Sequence, residues 1–179
     1  TNKKTSIRLV ASGTGNIASF TATNATNAPV GATITVTPTY TNAGVSCVGT
    51  ALTFTSTVNP TAIVTPVANQ VLCNGANSTP VNFTSPTTGG TIVYNWTNNN
   101  TTIGLGAAGV GNIPAFLAIN TSNVPVTATI KVTPTYSNGS VSCVGTPITF
   151  TITVNPPPVV NPVPNQVVCN NSPTANINF

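Results

Sequence analysis

Between Val126 and Tyr136 apolar and polar residues alternate. Val126, Ala128, Ile130, Val132, Pro134 and Tyr136 fall on one face, and Thr127, Thr129, Lys131, Thr133 and Thr135 on the other. A helix would return its apolar positions every three to four residues, so this spacing predicts an antiparallel strand with one face buried. Ile148, Phe150, Ile152 and Val154 alternate with threonines in the same way, and Ile92, Tyr94 and Trp96 share a face opposite Val93 and Asn95. Strands are expected over 63–72, 80–84, 91–96, 101–105, 112–119, 126–136 and 147–155. Turn chemistry at Asn74-Gly75, Thr88-Gly89-Gly90, Gly109 to Asn112 and Asn138-Gly139 separates them. No stretch has helical periodicity.

Sliding the sequence against itself by 96 residues aligns 1–83 with 97–179 without a gap and makes about 48 of the 83 pairs identical. VTPTYTNAGVSCVGT at Val36 meets VTPTYSNGSVSCVGT at Val132, and NQVLCN at Asn69 meets NQVVCN at Asn165. Such a period is the size of a small autonomous domain rather than of a solenoid unit. Prolines after Asn59 and Asn155 follow a strand in both copies and cannot continue a ladder, so they mark the boundaries. The chain therefore divides into 1–59, the C-terminal part of a first repeat; 60–155, a complete repeat; and 156–179, the N-terminal strands of a third.

Seven short strands per repeat predict an all-β fold of tandem immunoglobulin-like antiparallel β-sandwiches, with Trp96, Tyr94, Tyr136 and Phe150 in the core. The series Cys73, Trp96, Cys143 imitates the immunoglobulin order, but neither cysteine lies in the middle of a facing strand.

Composition narrows function by exclusion. Only 4 of 179 residues are Lys or Arg, and Asp, Glu and His are absent. An ordinary general acid or base, a carboxylate cage for calcium and a histidine ligand for zinc are therefore all missing, and the expectation is a non-enzyme without cofactor or metal. The net charge of +4 does not make a nucleic-acid surface, since Lys3, Lys4 and Arg8 cluster at one end and Lys131 stands alone. No apolar run is long enough for a membrane-spanning helix, so no membrane insertion is expected. No signal peptide precedes Thr1, which suggests mature material or an internal piece.

The motifs NQVVCN, YNWTNNNTTIGL, GNI, PVTATIKVTPTY and VSCVGTPITFTITVNP resemble the PKD-like repeats of very large surface proteins of Bacteroidota. They cover essentially every residue of the unit, with Lys3, Lys4 and Arg8 departing from Asn99, Asn100 and Gly104 of the other copy. The resemblance implies PKD-like, immunoglobulin-like domains strung into the stalks of giant gliding-motility and cell-surface adhesins exported by the type IX secretion system. It places the chain outside the cell, at the bacterial surface.

Taken with the tandem period, this gives the expected function: a non-catalytic structural repeat region of an extracellular filament or adhesin stalk. Strands of about ten residues would add something like 35 to 40 Å per unit. The partners would be neighbouring repeats or identical chains. The alternative is a carbohydrate-binding adhesive module, in which Tyr40 or Tyr136 stacks on surface glycans, although both fall on the apolar face of their strand. Thr-x-Thr rows such as Thr149, Thr151 and Thr153 also raise ice binding, but alternation alone produces them. Asn-x-Ser/Thr triplets, among them those at Asn24, Asn77, Asn82, Asn95, Asn99, Asn120, Asn138 and Asn170, make a glycosylated face a secondary expectation.

Cysteines at matching places in a secreted repeat imply oxidation. Pairing Cys73 with Cys143 would close a loop of about 70 residues worth roughly 4 kcal/mol, leaving Cys47 and Cys169 to partners outside 1–179. Pairing across the junction would join Cys47 to Cys73 and Cys143 to Cys169. The end segments hold only parts of a sandwich, since no counterpart of Thr84–Trp96 lies between a Phe179 and a following Thr1. A window on a longer continuous polypeptide is expected, with donor-strand assembly of separate chains as the alternative.

Overall fold

The computed structural model describes residues 7–179; Lys3 and Lys4 lie outside them. The chain is nearly all β, as the alternation predicts. In the first repeat β1 (Val30–Val36) pairs antiparallel with β4 (Leu52–Val58), and β2 (Thr39–Asn42) forms a hairpin with β3 (Val45–Val48). The complete repeat is built on a six-stranded sheet. Its strands are β5 (Gln70–Cys73), β6 (Thr91–Asn98), β7 (Ala108–Val110), β8 (Val126–Asn138), β9 (Val141–Val144) and β10 (Ile148–Asn155), in the order β5-β10-β8-β6-β7, with β9 continuing beside β8. All pairings are antiparallel except β5 with β10.

The opposing layer is not a regular sheet. Val81 and Ile113 exchange both backbone hydrogen bonds (2.9 and 3.0 Å), and Ala118 N donates to Ala76 O (2.8 Å). Pro80 and Pro114 lack the N–H groups that a longer ladder would use. The Ser78 hydroxyl takes up one gap by accepting from Phe116 N (3.0 Å). The strands expected at 80–84 and 112–119 are therefore isolated bridges. The strand expected at 63–72 shrinks to Gln70–Cys73. The one expected at 101–105 is a 3-10 turn over Thr101–Ile103, because the Asn100 side chain accepts from Thr102 N and curls the backbone.

The core lies between these layers. Ala128, Ile130, Val132, Phe150, Ile152 and Val154 face inward from β8 and β10, and the intervening threonines and Lys131 face outward. Trp96 lies over Gly109, its partner across the β6–β7 pair, where a Cβ would run into the indole ring. Phe83 and Tyr94 pack with ring centroids 5.5 Å apart.

β8 also shows what β6 contributes. Its 13 residues run unbroken through Pro134, which sits opposite Tyr94. The equivalent stretch of the first repeat is interrupted between Val36 and Thr39, at Pro38, and among the described residues no strand stands at the place of β6.

Candidate assembly site

The complete repeat takes the chain in at one end and releases it at the other. Ala62 O accepts from Thr146 N (3.3 Å) beside the β8–β9 hairpin, whereas Asn155 O accepts from Asn74 N (3.0 Å) at the far end of the sheet. The exit end of the first repeat thereby abuts the entry end of the second. Thr88 N donates to Asn27 O (2.7 Å), Asn138 Nδ2 donates to Asn59 Oδ1 (2.9 Å), and Pro29 lies against Gly89. Pro60 is buried at the crossing. Asn27, Pro29 and Asn59 recur as Asn123, Pro125 and Asn155, so the second repeat presents the same residue types at its own exit.

Tyr136 belongs to this end rather than to the main core. It is fully buried, its hydroxyl donates to Thr88 O (3.3 Å), and its ring lies under Gly90 so closely that a Cβ there would clash. Trp96, Phe150 and the half-buried Tyr94 lie in the main core. Burial raises the Tyr94 phenol pKa, against a smaller lowering by a hydrogen bond with Ser85.

In the first repeat a corresponding set of side chains is uncovered. Ile7, Leu9, Ala32 and Ile34 make a small core, but a groove of about 720 Å³ opens among Leu9, Ile17, Phe20, Ile34 and Val36. Phe54 is 46% exposed where its counterpart Phe150 is 2% exposed. In the complete repeat the counterparts Leu105, Ile113, Ile130 and Val132 share a cluster with Val64, Val81, Phe83 and Trp96. The C-terminal segment carries copies of three of these four, Val160, Ile177 and Phe179, and all three are exposed.

Neutral amides supply the polar framework that charged groups supply elsewhere. Asn120 is 3% exposed, and its Nδ2 donates to Val124 O and Val154 O (both 2.8 Å) while its Oδ1 accepts from Ser122 N (2.9 Å) and the Ser122 hydroxyl (2.7 Å). Asn24 repeats the arrangement with Ala28 O, Val58 O and Thr26. At Asn24, Asn120 and Asn100 the Asn-x-Ser/Thr triplet is thus a local turn clamp; the side-chain nitrogens of the first two are committed to backbone carbonyls. The triplet reading by itself missed this role. The signal for it was the recurrence of Asn24 and Asn120 just before Pro29 and Pro125.

The expected disulfide between Cys73 and Cys143 is not formed. Cys73 pairs with Asn155 beyond the Val126 end of β8, and Cys143 sits opposite Tyr136, so about ten residues of strand, or roughly 34 Å, separate them. A disulfide needs Cα atoms within about 7 Å. All four cysteines are free, and the cross-junction pairs Cys47–Cys73 and Cys143–Cys169 are absent as well. Among the described residues no three His, Cys, Asp or Glu side chains gather into a metal site. No helix among them is long and apolar enough to cross a membrane. No protein-family model matches the chain, and no curated protein matches it.

Proposed function

We propose that this chain is a structural, non-catalytic repeat region of an extracellular bacterial filament or cell-surface adhesin stalk. The observation that carries the reading is the head-to-tail junction in which Asn27, Pro29 and Asn59 meet Thr88, Gly89 and Asn138, with the same exit residues presented again one repeat later. Entry and exit at opposite ends make each repeat a spacer. The 13 residues of β8 extend about 44 Å at the usual rise of a strand, which sets the scale of the increment. An exposed fibre without Asp or Glu and with few Lys or Arg presents little to proteases that cut at charge and does not depend on calcium for stiffness.

Electron microscopy of native material tests this reading. An axial period near 40 to 45 Å on fibres outside the cell supports it, and proteinase K added to intact cells should release them. An intracellular location, or turnover of a substrate abolished by a single substitution, overturns it.

A further inference from the structure

We propose that Asn138 is a site of spontaneous deamidation, and that its conversion to aspartate or isoaspartate loosens the junction between the first and the complete repeat.

The chain holds two Asn-Gly pairs, Asn74-Gly75 and Asn138-Gly139. Glycine matters here because its nitrogen is the nucleophile, and with no Cβ beside it that nitrogen reaches the preceding side-chain amide with the least hindrance. At the second pair the Gly139 nitrogen attacks Cγ of Asn138. The new C–N bond forms as the Cγ–Nδ2 bond breaks, and Nδ2 leaves as ammonia with the proton given up by the Gly139 nitrogen. Water then opens the cyclic imide at either of its carbonyls, giving aspartate or isoaspartate. The step consumes one water and needs no oxidant, metal or enzyme.

Exposure alone would rank the two sites the wrong way round, since Asn74 is exposed and Asn138 half-buried. Hydrogen bonding reverses the order. Gly75 N donates to Ala118 O (2.8 Å), and Ala118 is itself fully buried, so the nucleophile of the first pair is tied to the edge of the core. The electrophile is held as well: Asn74 Oδ1 accepts from Asn120 N (2.8 Å), and Asn120 is fixed by its bonds to Val124 O and Val154 O. Attack at Asn74 requires both restraints to open locally. Gly139 carries neither. It stands exposed in the short turn that joins Asn138 to Val141, with a φ of 59° and no atom within 4 Å of where a Cβ would lie. Its N–H has no acceptor among the described residues. The first repeat supplies the contrast, because its hairpin has Asn42-Ala43 at the same place and Ala43 takes a φ of 47°. That turn accommodates alanine, whose methyl group shields the nitrogen.

The consequence follows from where Asn138 stands. Its Nδ2, the atom that leaves, is the donor to Asn59 Oδ1 (2.9 Å) across the junction. Deamidation sets a half-buried carboxylate against that oxygen, in a chain that has no other side-chain carboxylate. In isoaspartate the Cβ also enters the backbone, so the turn no longer matches β8 to β9 in register. The contacts of Thr88 with Asn27 and of Gly89 with Pro29 belong to the same junction.

The test begins by ageing the 179-residue chain in mildly alkaline buffer, which favours loss of the proton from the glycine nitrogen. After denaturation, trypsin cuts at Lys131 and leaves Asn74 and Asn138 on separate fragments. Fragmentation mass spectrometry should place the amide-to-acid mass gain at Asn138, accumulating roughly tenfold faster than at Asn74, where two hydrogen bonds must first open. Gly139→Ala should slow it to the level of Asn42, and Ala43→Gly should bring it to Asn42. For the junction, Asn138→Asp is compared with the unmodified chain by hydrogen exchange. The Thr88 amide, which donates to Asn27 of the other repeat, should exchange severalfold faster, and the Ile130 amide in the middle of β8 should keep its rate. Faster reaction at Asn74, or reaction at Asn138 that persists in Gly139→Ala, overturns the assignment of the site. An unchanged Thr88 amide, or a loss of protection shared equally by Ile130, overturns its effect on the junction.

Discussion

Tyr136 and Tyr40 occupy the same position in two repeats, 96 residues apart, yet Tyr136 is fully buried and Tyr40 is 71% exposed. Both face a cysteine across a hairpin, Cys143 and Cys47, and the hydroxyl pairs beside them, Ser137 with Ser142 and Thr41 with Ser46, are alike. What differs is the cover: Thr88–Gly90 and β6 lie against Tyr136, and among the described residues nothing equivalent lies over Tyr40.

Gly90→Val should therefore push the Tyr136 ring from its seat and destabilise the complete repeat by about 1 to 3 kcal/mol. Tyr40→Ala should change stability by less than about 0.5 kcal/mol. Urea unfolding followed by the single tryptophan, Trp96, reads the complete repeat alone; equal effects of the two changes would contradict the account.

Gly109→Ala tests the close approach of backbone to indole. The added Cβ meets the Trp96 ring, so either the ring or β7 must move. A loss of about 1 to 3 kcal/mol is expected, together with a shifted Trp96 emission maximum. An unchanged spectrum and stability would mean that β7 yields freely.

Removing the Asn120 side chain leaves Val124 O, Val154 O and the Ser122 backbone N–H without their partner. Asn120→Ala should cost about 1 to 3 kcal/mol or more, since buried polar groups lose their bonds without gaining water. The same Asn-x-Ser/Thr change at the exposed Asn82 should be near neutral, and denaturation midpoints compare the two directly.

Acid should do little to this protein. Without Asp, Glu or His no side chain titrates between about pH 2 and 8, so folded and unfolded states bind side-chain protons equally there and stability stays level. Tyr94 makes stability fall on the alkaline side. Its folded pKa lies above the ordinary value of 10.0, so its contribution is complete below that value and is lost as pH rises through the folded pKa. Thermal melts from acid to strong alkali should show a plateau and then a fall, and a steep loss near about pH 4 would contradict this.

Non-reducing peptide mapping should recover no peptide linking Cys73 to Cys143, because the length of β8 stands between them. Finding that link in folded material would overturn the register of the sheet.

The strands that alternate cleanly were legible in the sequence: β6, β8 and β10 lie where Ile92, Val126 and Ile148 begin their patterns, and Val132, Phe150 and Val154 point inward. Segments 101–105 and 112–119 were not legible as irregular, because apolar residues at strand spacing outweighed the local signals of Asn100 and Pro114. The cysteine pairing failed for a different reason. Equal spacing in two repeats says that a residue recurs, but which end of a strand it occupies depends on registers such as Val154 with Leu72, which sequence spacing does not encode.

The sequence by itself determined that this chain is β-rich, repeated every 96 residues and without the side chains of ordinary acid–base chemistry, since period, identity and composition are properties of the linear chain. Only the tertiary structure decided which copies of the same residues are buried. Val36 and Val132, Phe54 and Phe150, and Tyr40 and Tyr136 have the same local sequence preference but different neighbours, and burial is conferred by the layer that another segment lays across them.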